Sequence, residues 1–332
     1  MIKLIFFLFS MAQAFDAQDC RSKDSEDWIC NYMQKHEKNY STFSEFLLRK
    51  TKLKSIHKTE IFGLTSKSDA FPRELRSNNA LAYGHHKTFK RDTHKKHVHL
   101  EAVPKLPPID WRKHGRVTPV EDQGDCGGCF AFASATVLEY WSATQHPKQL
   151  SPQNIMDCTS GSGRPDVGCD GGLMEYVFEY AKQHPIPLNI EFPWTGALHH
   201  CPRRKLWSNV AVKDFRVLMI EDNPKAEQQF EHILHNYGPI SIGIDSSNMN
   251  NYRGGVFSAS MCTNDIDHAV TIVGYTKNAW IIKNSWGPNW GINGYLYLER
   301  GKNACGVAEY AVYVKDAVPA HRKLTTKWHM DA

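Results

Sequence analysis

The most informative segment of the chain reads Gln123-Gly124-Asp125-Cys126-Gly127-Gly128-Cys129-Phe130-Ala131-Phe132. Its glycines give way at Cys129 to a run without Gly or Pro that continues to Thr144, so the sequence predicts a helix that starts near Gly128, an acceptable N-cap. A cysteine in the first helical turn lies near unpaired backbone N–H groups and the positive end of the helix dipole, which both favour the thiolate. The segment therefore predicts a nucleophile at Cys129.

Two other interpretations of this segment compete with a nucleophile. Cys126 and Cys129 form a C-x-x-C pattern, which also suits a thioredoxin-like redox pair or half of a zinc site. If Cys129 is a nucleophile, the side-chain amide of Gln123 and the Cys129 backbone N–H could hold the negative oxygen of an acyl-transfer intermediate. The segment alone leaves all three interpretations open.

Composition and the N-terminus indicate a secreted globular protein. The 332 residues are 41% hydrophobic and carry a net charge of +5, which is too modest and too dispersed to predict nucleic-acid binding. Residues 1–14 have the pattern of a signal peptide, with Lys3, a short apolar run and the cleavage site Ala12-Gln13-Ala14. No stretch of the sequence reaches about 18 apolar residues, so we expect no membrane association after signal removal.

The cysteines and the local composition indicate which residues form disulfides and where the main domain begins. Secretion permits disulfides, and because the nine cysteines are an odd number, one thiol should remain outside them. Residues 15–104 are polar and lysine-rich, with helical periodicity over 28–40 and 43–56. We expect Cys20 to pair with Cys30, and the sequon at Asn39 predicts an exposed glycosylation site. Beyond Lys105, glycine and tryptophan become frequent, which indicates the main domain.

A second region predicts a β-hairpin that carries a histidine and an asparagine. Residues 270–275 and 279–282 are apolar strands separated by Thr276-Lys277-Asn278. A turn centred on Thr276 would place His268 directly opposite Asn284, near enough for the amide oxygen to orient the imidazole. An imidazole held in this way can act as a general base, and Trp286 could shield the hydrogen bond from water. Each residue alone is more often structural, but the pair beside a cysteine nucleophile favours catalysis.

Together these motifs resemble those of the papain family of cysteine proteases, on its cathepsin L side. The resemblance extends over residues 107–314 and includes Asp110-Trp111-Arg112, Val117-Thr118-Pro119-Val120, Gly168-Cys169-Asp170-Gly171-Gly172, Gly238-Pro239-Ile240 and Trp286-Gly287-Pro288-Asn289-Trp290-Gly291. It implies an α+β, papain-like fold of two lobes within a peptidase domain over residues 105–316. The helical lobe would span about residues 115–215 and the β-barrel-like lobe about residues 216–316, followed by a basic tail, residues 317–332.

The resemblance also implies the activity, a cysteine endopeptidase made as a zymogen, with residues 15–104 as the inhibitory propeptide. Cys129 would be the nucleophile, His268 the base and later the acid, and Asn284 the group that orients the imidazole. Gln123 and the Cys129 N–H would form the oxyanion hole. Attack by the thiolate of a thiolate–imidazolium pair would give a thioester acyl-enzyme that water hydrolyses.

Disulfides and a substrate cleft follow from the same resemblance. The implied disulfides are Cys126–Cys169, Cys158–Cys201 and Cys262–Cys305. With Cys126 bonded to another residue, a C-x-x-C redox couple is excluded. Residues implied for the cleft are Gly171, Gly172, Leu173, Met174, Ile266, Asp267, Ala269, Trp286 and Tyr310. Tyr310 at the floor of the second subsite favours aliphatic side chains, whereas an inward Glu309 with Tyr310 turned outward would favour basic ones.

The chain departs from the family pattern beside the nucleophile and in the propeptide. Gly128 stands where Ser or Ala is usual, and Phe130 where Trp or Tyr is usual, and we expect Gly128 to loosen the turn and lower the rate. In the propeptide, Glu45-x-x-x-Arg49 and the glycine and aspartate of Gly63 to Asp69 match. Residues that do not match are Leu53, Ile56 and Glu60.

The expected partners are protein or peptide substrates, the chain's own propeptide and cystatin-like inhibitors, with no metal and no organic cofactor. We expect a monomer in the secretory pathway, either in a lysosome-like acidic compartment or outside the cell. The first rival function is a catalytically weak relative that binds peptides in the cleft, which predicts loss of the Cys, His or Asn, yet all three are present. The second is a zinc or redox protein that uses Cys126 and Cys129.

Overall fold

The computed structural model describes residues 15–23, 27–56, 59–70, 106–142, 146–160, 166–184, 186–202, 210–219, 225–263 and 265–319. The predicted signal peptide and residues 320–332 of the predicted tail lie outside these ranges, as does the propeptide from residue 71 onward. Among the helices in these ranges, none combines the length and the apolar character that crossing a membrane requires.

Three short helices form the N-terminal segment: α1 (Ala17–Lys23), α2 (Asp27–Lys35) and α3 (Phe43–Lys54). The Cys20–Cys30 disulfide joins α1 to α2, as expected. The helix predicted over 28–40 ends earlier, at Lys35, because Glu37 takes a left-handed conformation with φ of 53°. The three helices enclose a small apolar core that contains Phe15, Ile29, Met33, Phe46 and Leu53.

One lobe of the main domain is helical and is built around α4 (Cys129–Ser142), with α5 (Pro152–Thr159) and α6 (Met174–Gln183) against it. α4 is mostly apolar and is buried on nearly all sides, which is typical of a central helix. The Cys126–Cys169 and Cys158–Cys201 disulfides, both as implied by the resemblance, lie in this lobe.

The strands of the main domain form a six-stranded antiparallel sheet with the order β1-β6-β2-β3-β4-β5. Its strands are β1 (Val210–Leu218), β2 (Ile240–Ile244), β3 (His268–Tyr275), β4 (Ala279–Lys283), β5 (Tyr295–Glu299) and β6 (Ala311–Pro319). Helix α7 (Ala226–Tyr237) packs its apolar face against the sheet, and the buried side chains between them form the hydrophobic core of the β lobe. The third implied disulfide, Cys262–Cys305, is also present.

The sheet extends past the expected end of the domain. Ala317, Val318 and Pro319, the first three residues of the predicted tail, pair with β1. The two lobes meet where hydroxyl groups of β2 and β3 donate to the Ala133 carbonyl of α4, from Ser241 at 3.1 Å and from Thr271 at 3.0 Å. Ala133 lies about one helical turn from Cys129, so these bonds fix the start of α4 relative to β3.

Candidate active site

Cys129 is the first residue of α4 and is fully buried. Among the described cysteines it alone takes no part in a disulfide. The Gly128 carbonyl accepts hydrogen bonds from Ala131 N at 2.9 Å and Phe132 N at 3.3 Å, which confirms the predicted start of the helix. No acidic side chain lies in the first turn, so the positive end of the helix dipole acts on the sulfur without a local opposing carboxylate.

The two unusual residues beside Cys129 are explained by their neighbours. A Cβ atom on Gly128 would lie 2.5 Å from the Trp194 ring, which fills the space that a serine or alanine side chain would occupy. Trp194 also donates from Nε1 to the Gln123 carbonyl at 3.2 Å. The turn is therefore packed, and the expectation that Gly128 loosens it is wrong. Phe130 packs against Gly172, where an added Cβ would lie 2.6 Å from the Phe130 ring.

His268 and Asn284 form the predicted hydrogen bond, with 2.8 Å between Nε2 and Oδ1. The Asn284 Oδ1 also accepts the Ser285 backbone N–H at 2.8 Å, which fixes the orientation of the amide. Because Oδ1 only accepts, Nε2 carries the proton in the neutral ring and Nδ1 is its basic nitrogen. Nδ1 is buried and has no hydrogen-bond partner among the described residues. This leaves it as the atom that can take a proton from a thiol.

The indole of Trp286 covers this pair. Its ring stacks on the His268 ring with 4.9 Å between centroids and an interplanar angle of 28°. Trp286 in turn meets the Trp290 ring edge-on at 5.0 Å. Both tryptophan side chains are buried, so water is kept from this side of the His268–Asn284 hydrogen bond, as predicted.

The predicted register of the hairpin is wrong by two residues. β3 pairs with β4 through Thr271–Lys283 and Ile272–Ile282, and an irregularity follows before Gly274. Asn284 therefore lies diagonal to His268. A shift of two residues keeps both side chains on the same face of the sheet, and long side chains reach diagonal neighbours. The contact was predicted correctly for this reason, although the pairing was not.

Burial changes the titration of His268. Burial, with a smaller contribution from the positive charge of Lys67, lowers the pKa of the imidazole to about 4, and the Asn284 hydrogen bond opposes this shift. In this form of the protein the imidazole is neutral at neutral pH. Lys67 belongs to the N-terminal segment, so that segment contributes to holding His268 uncharged.

Gln123 is held by the residue that follows Asn284. The Gln123 backbone N–H donates to the Ser285 carbonyl at 2.9 Å, and the Ser285 hydroxyl donates to Gln123 Oε1. The Gln123 Nε2 group, which carries two hydrogens, donates one of them to the Cys126 carbonyl at 2.9 Å. The role of Ser285 was not predicted from the sequence, although its position between Asn284 and Trp286 is a usable signal. Trp194 left no signal in the sequence.

The residues expected at the second subsite belong to one apolar cluster of buried side chains: Leu173, Met174, Ile266, Ala269 and Tyr310. Glu309 is only partly buried and accepts a hydrogen bond from Asn303 Nδ2 at 2.9 Å. Tyr310 is therefore the residue that points into the apolar cluster, in contrast to the alternative in which Glu309 points inward and Tyr310 outward. Asp267 accepts two bonds from Ser246, at 2.8 and 2.9 Å, and burial raises its pKa to about 6.

The N-terminal segment lies against the β lobe and reaches the site. Its backbone pairs with the loop around residue 252, through Arg253 N to Ile61 O at 2.7 Å and Gly63 N to Asn251 O at 2.8 Å. The Lys67 ammonium then lies 3.6 Å from Asp122, the residue before Gln123. We missed Lys67 in the sequence, although it falls inside the Gly63–Asp69 motif.

A buried carboxylate fixes the shape of this segment. Asp69 accepts hydrogen bonds from Tyr32 at 3.0 Å and Tyr40 at 2.8 Å, and it forms an ion pair with Lys38 at 3.0 Å. Arg49 donates to the Asp69 backbone carbonyl at 3.0 Å. The contacts join α2, α3 and residues 65–69 into one unit, so the position of Lys67 depends on the folded helices.

The comparisons with known proteins agree with this geometry. The profile described as "Papain family cysteine protease" matches residues 106–315. The chain belongs to the papain family. This papain-family chain is 38% identical over 226 residues to cathepsin 7 of Mus musculus, covering 63% of this chain and 66% of the relative. It is 31% identical over 344 residues to cysteine proteinase 15A of Pisum sativum, covering 94% and 93%.

Solved structures extend the similarity to the N-terminal segment. Procathepsin L 3 from the larval midgut of Tenebrio molitor superimposes with a TM-score of 0.69 at 25% identity, covering 89% of this chain and 98% of that one. The ragweed pollen protease Amb a 11 in its proform gives 0.70 at 26% identity, covering 91% and 95%. The papain-family chain is therefore a cathepsin L-like cysteine peptidase zymogen of α+β fold that acts on proteins and is inhibited by its propeptide.

Proposed function

We propose that Cys129, His268, Asn284 and Gln123 form the catalytic site of an endopeptidase. The observation that carries this proposal is the 2.8 Å bond between His268 and Asn284, under the Trp286 ring, in a chain whose one described cysteine outside the disulfides begins a buried helix. The bond supports Nδ1 of His268 as the proton acceptor, because it uses the other ring nitrogen. The four side chains come from both lobes, so the substrate would lie between them.

In the reaction, Nδ1 of His268 takes the thiol proton and the sulfur of Cys129 attacks the peptide carbonyl. The Gln123 amide and the Cys129 backbone N–H stabilise the negative oxygen of the tetrahedral intermediate. His268 then gives the proton to the leaving amine, and a thioester remains on Cys129. Water, activated by the imidazole, hydrolyses the thioester and restores the thiol.

The substrate cleft combines glycine backbone at Gly171 and Gly172 with apolar walls. We propose that the second subsite takes aliphatic side chains, because Tyr310 is buried in the same apolar cluster as Leu173 and Ile266, where its ring would limit the depth of the subsite. The other cleft residues in the proposal are Leu173, Met174, Ile266, Asp267, Ala269 and Trp286. No metal or cofactor enters the mechanism.

We further propose that the zymogen is made in the secretory pathway and acts in a lysosome-like acidic compartment or outside the cell. Asn39 is exposed, as a glycosylation site requires. Burial is the main cause of the lowered His268 pKa and the Lys67 charge is a smaller one; removal of the propeptide would take that charge away and so favour the thiolate–imidazolium pair. Cystatin-like inhibitors and a monomeric state remain part of this proposal.

The test is activation of the purified zymogen at pH about 5 with a thiol reductant, since the imidazole of the released enzyme should be charged at that acidity. We expect loss of the propeptide, cleavage of a fluorogenic peptide, and labelling of one cysteine by an epoxide inhibitor. The Cys129→Ser variant should show none of the three. Labelling without any peptide cleavage would favour the peptide-binding relative, and labelling of a different cysteine would refute the assignment of Cys129.

A further inference from the structure

Lys67 places a long basic side chain inside the site. Only 10% of its side chain is exposed, although lysine is seldom buried without a partner. Its ammonium lies 3.6 Å from Asp122 Oδ1, and its charge acts on His268. The space beside Asp122 therefore accommodates the methylene chain of a lysine, with a carboxylate at its end. This space adjoins the imidazole, because the backbone of Asp122 pairs with Trp286 and the Trp286 ring stacks on His268 at 4.9 Å.

The Asp122 carboxylate is held in place by the elements that also hold the catalytic groups. Its Oδ1 accepts the Gly124 backbone N–H at 2.9 Å. Its Oδ2 lies against Gly287, where an added Cβ would come within 2.8 Å of it. The backbone of Asp122 pairs with Trp286, the residue that covers His268. The carboxylate is thus a fixed feature of the cleft, 48% exposed with the propeptide in place.

The chemistry of the proposed reaction says which half of a substrate meets this carboxylate. His268 protonates the leaving amine, so the residues after the scissile bond must lie beside the imidazole. Lys67 lies there in the zymogen. Its Nζ stands in for the ammonium or guanidinium group of a substrate side chain.

We infer that Asp122 forms a subsite for Lys or Arg side chains on the leaving-group side of the scissile bond. This inference rests on the proposed function, because it takes the direction of the substrate from the role of His268. Lys67 occupies the subsite in the zymogen, so the subsite becomes available to substrates when the propeptide leaves. The enzyme would then favour protein segments with a basic residue just after the cleaved bond.

The experiment compares matched peptides with the activated enzyme. Each pair shares the sequence before the scissile bond and carries either Lys or norleucine at the first or at the second position after it. We expect kcat/KM to be about 2- to 5-fold higher for Lys at one of these positions, the range for a partly exposed ion pair. The ratio of kcat/KM for the Lys peptide to kcat/KM for the norleucine peptide should fall to about 1 in the Asp122→Asn variant and below 1 in the Asp122→Lys variant. Salt at about 1 M should reduce it in the wild type.

Asp125→Asn, an exposed change in the same loop, is the matched control and should keep the wild-type ratio. Titration of each variant with the epoxide inhibitor measures the concentration of correctly folded active sites. The ratio of the two kcat/KM values is measured with one enzyme preparation, so it does not depend on the yield of that variant. Cleavage of both peptides at equal rates at both positions, with no change in Asp122→Asn, would overturn the subsite while leaving the proposed function intact. If neither peptide is cleaved by correctly processed enzyme, the proposed function fails first.

Discussion

The protonation of His268 depends on one amide oxygen. Asn284 Oδ1 accepts both the ring Nε2–H and the Ser285 N–H, so it prefers a single ring orientation and a single tautomer. Without that acceptor the ring could turn, and Nδ1 would no longer face a fixed direction. A hydrogen bond to a group that becomes charged is worth about 1.5–3 kcal/mol. The asparagine therefore affects the rate although it takes no proton itself.

We expect Asn284→Ala to lower kcat/KM by roughly 10- to 100-fold, the rate equivalent of that hydrogen bond. The variant should be activated by an added protease, since its self-processing would also slow. The matched control is Asn236→Ala, because Asn236 lies on an exposed surface and its side chain donates within α7, to His232 O at 2.8 Å. Equal kcat/KM for Asn284→Ala and wild type would show that Asn284 has no part in orienting the base.

At the scale of single residues, the sequence predicts the reacting groups better than the residues that pack against them or change their pKa. Cys129 and His268 fall in local patterns whose chemistry is specific. Trp194 and Lys67 act on the site from distant parts of the chain, and no local spacing relates them to it. Their effects, a filled space beside Gly128 and a charge near the imidazole, depend on tertiary packing alone.

At the scale of elements, the start of α4 is set by a steric match between a glycine and an indole. The Cβ position of Gly128 is 2.5 Å from Trp194, closer than real Cβ contacts allow. The flexible end of a side chain could yield, but Trp194 is rigid, packs on Phe132 at 4.7 Å and is bonded to Gln123. A side chain at position 128 must therefore displace the ring or the helix start.

The Gly128→Ser variant should lose about 1–3 kcal/mol of stability through overpacking, measured as a lower urea midpoint. Combination with Trp194→Leu, which vacates the space, should restore part of that loss. The double-mutant cycle should give a coupling free energy above about 0.5 kcal/mol. Additive effects of the two substitutions would contradict a direct contact. Phe130→Tyr serves as a control at the other unusual position, where the cycle with Trp194→Leu should be additive.

The hairpin shows what sequence patterns can predict about an element. The apolar runs and the turn residues between them predicted both strands closely, but not the pairing, since the loop and the irregularity before Gly274 shift the register by two residues. Because the shift is even, the face of each side chain was still predicted correctly. Likewise, the end of β6 at Pro319 depends on pairing with β1, which composition does not reveal.

At the scale of the whole molecule, a buried charged cluster joins the lobes behind the site. Lys283 of β4 donates to Thr118 Oγ1 at 2.8 Å and lies 3.9 Å from Glu139 of α4. Both charged side chains are almost fully buried, and breaking such a pair by removing one partner costs several kcal/mol. The strand that carries Asn284 and the helix that carries Cys129 are thereby fixed to each other.

Glu121 makes this cluster sensitive to pH. Burial raises its pKa to about 7, with the negative charge of Glu139 adding to the effect and Lys283 opposing it. The unfolded carboxyl titrates near pH 4.3. Between these values the native state binds more protons at Glu121 than the unfolded state does, so the contribution of Glu121 to stability is most favourable below about pH 4 and becomes less favourable as pH rises to about 7. The Glu121 contribution thus favours an acidic compartment.

We therefore expect Glu121→Gln to raise the free energy of unfolding at pH 7.5 by about 1–3 kcal/mol relative to wild type, with little change at pH 4. The glutamine keeps an oxygen to accept the Asn189 Nδ2 hydrogen bond, which is 2.9 Å long in the wild type. Urea unfolding of the zymogen across this pH range measures the difference. Glu179→Gln, on the exposed side of α6, should show no such dependence. A Glu121→Gln effect that is the same at pH 4 and pH 7.5 would mean that the pKa of Glu121 is the same in the native and unfolded states, so that this carboxyl gives the contact between the lobes no response to acidity.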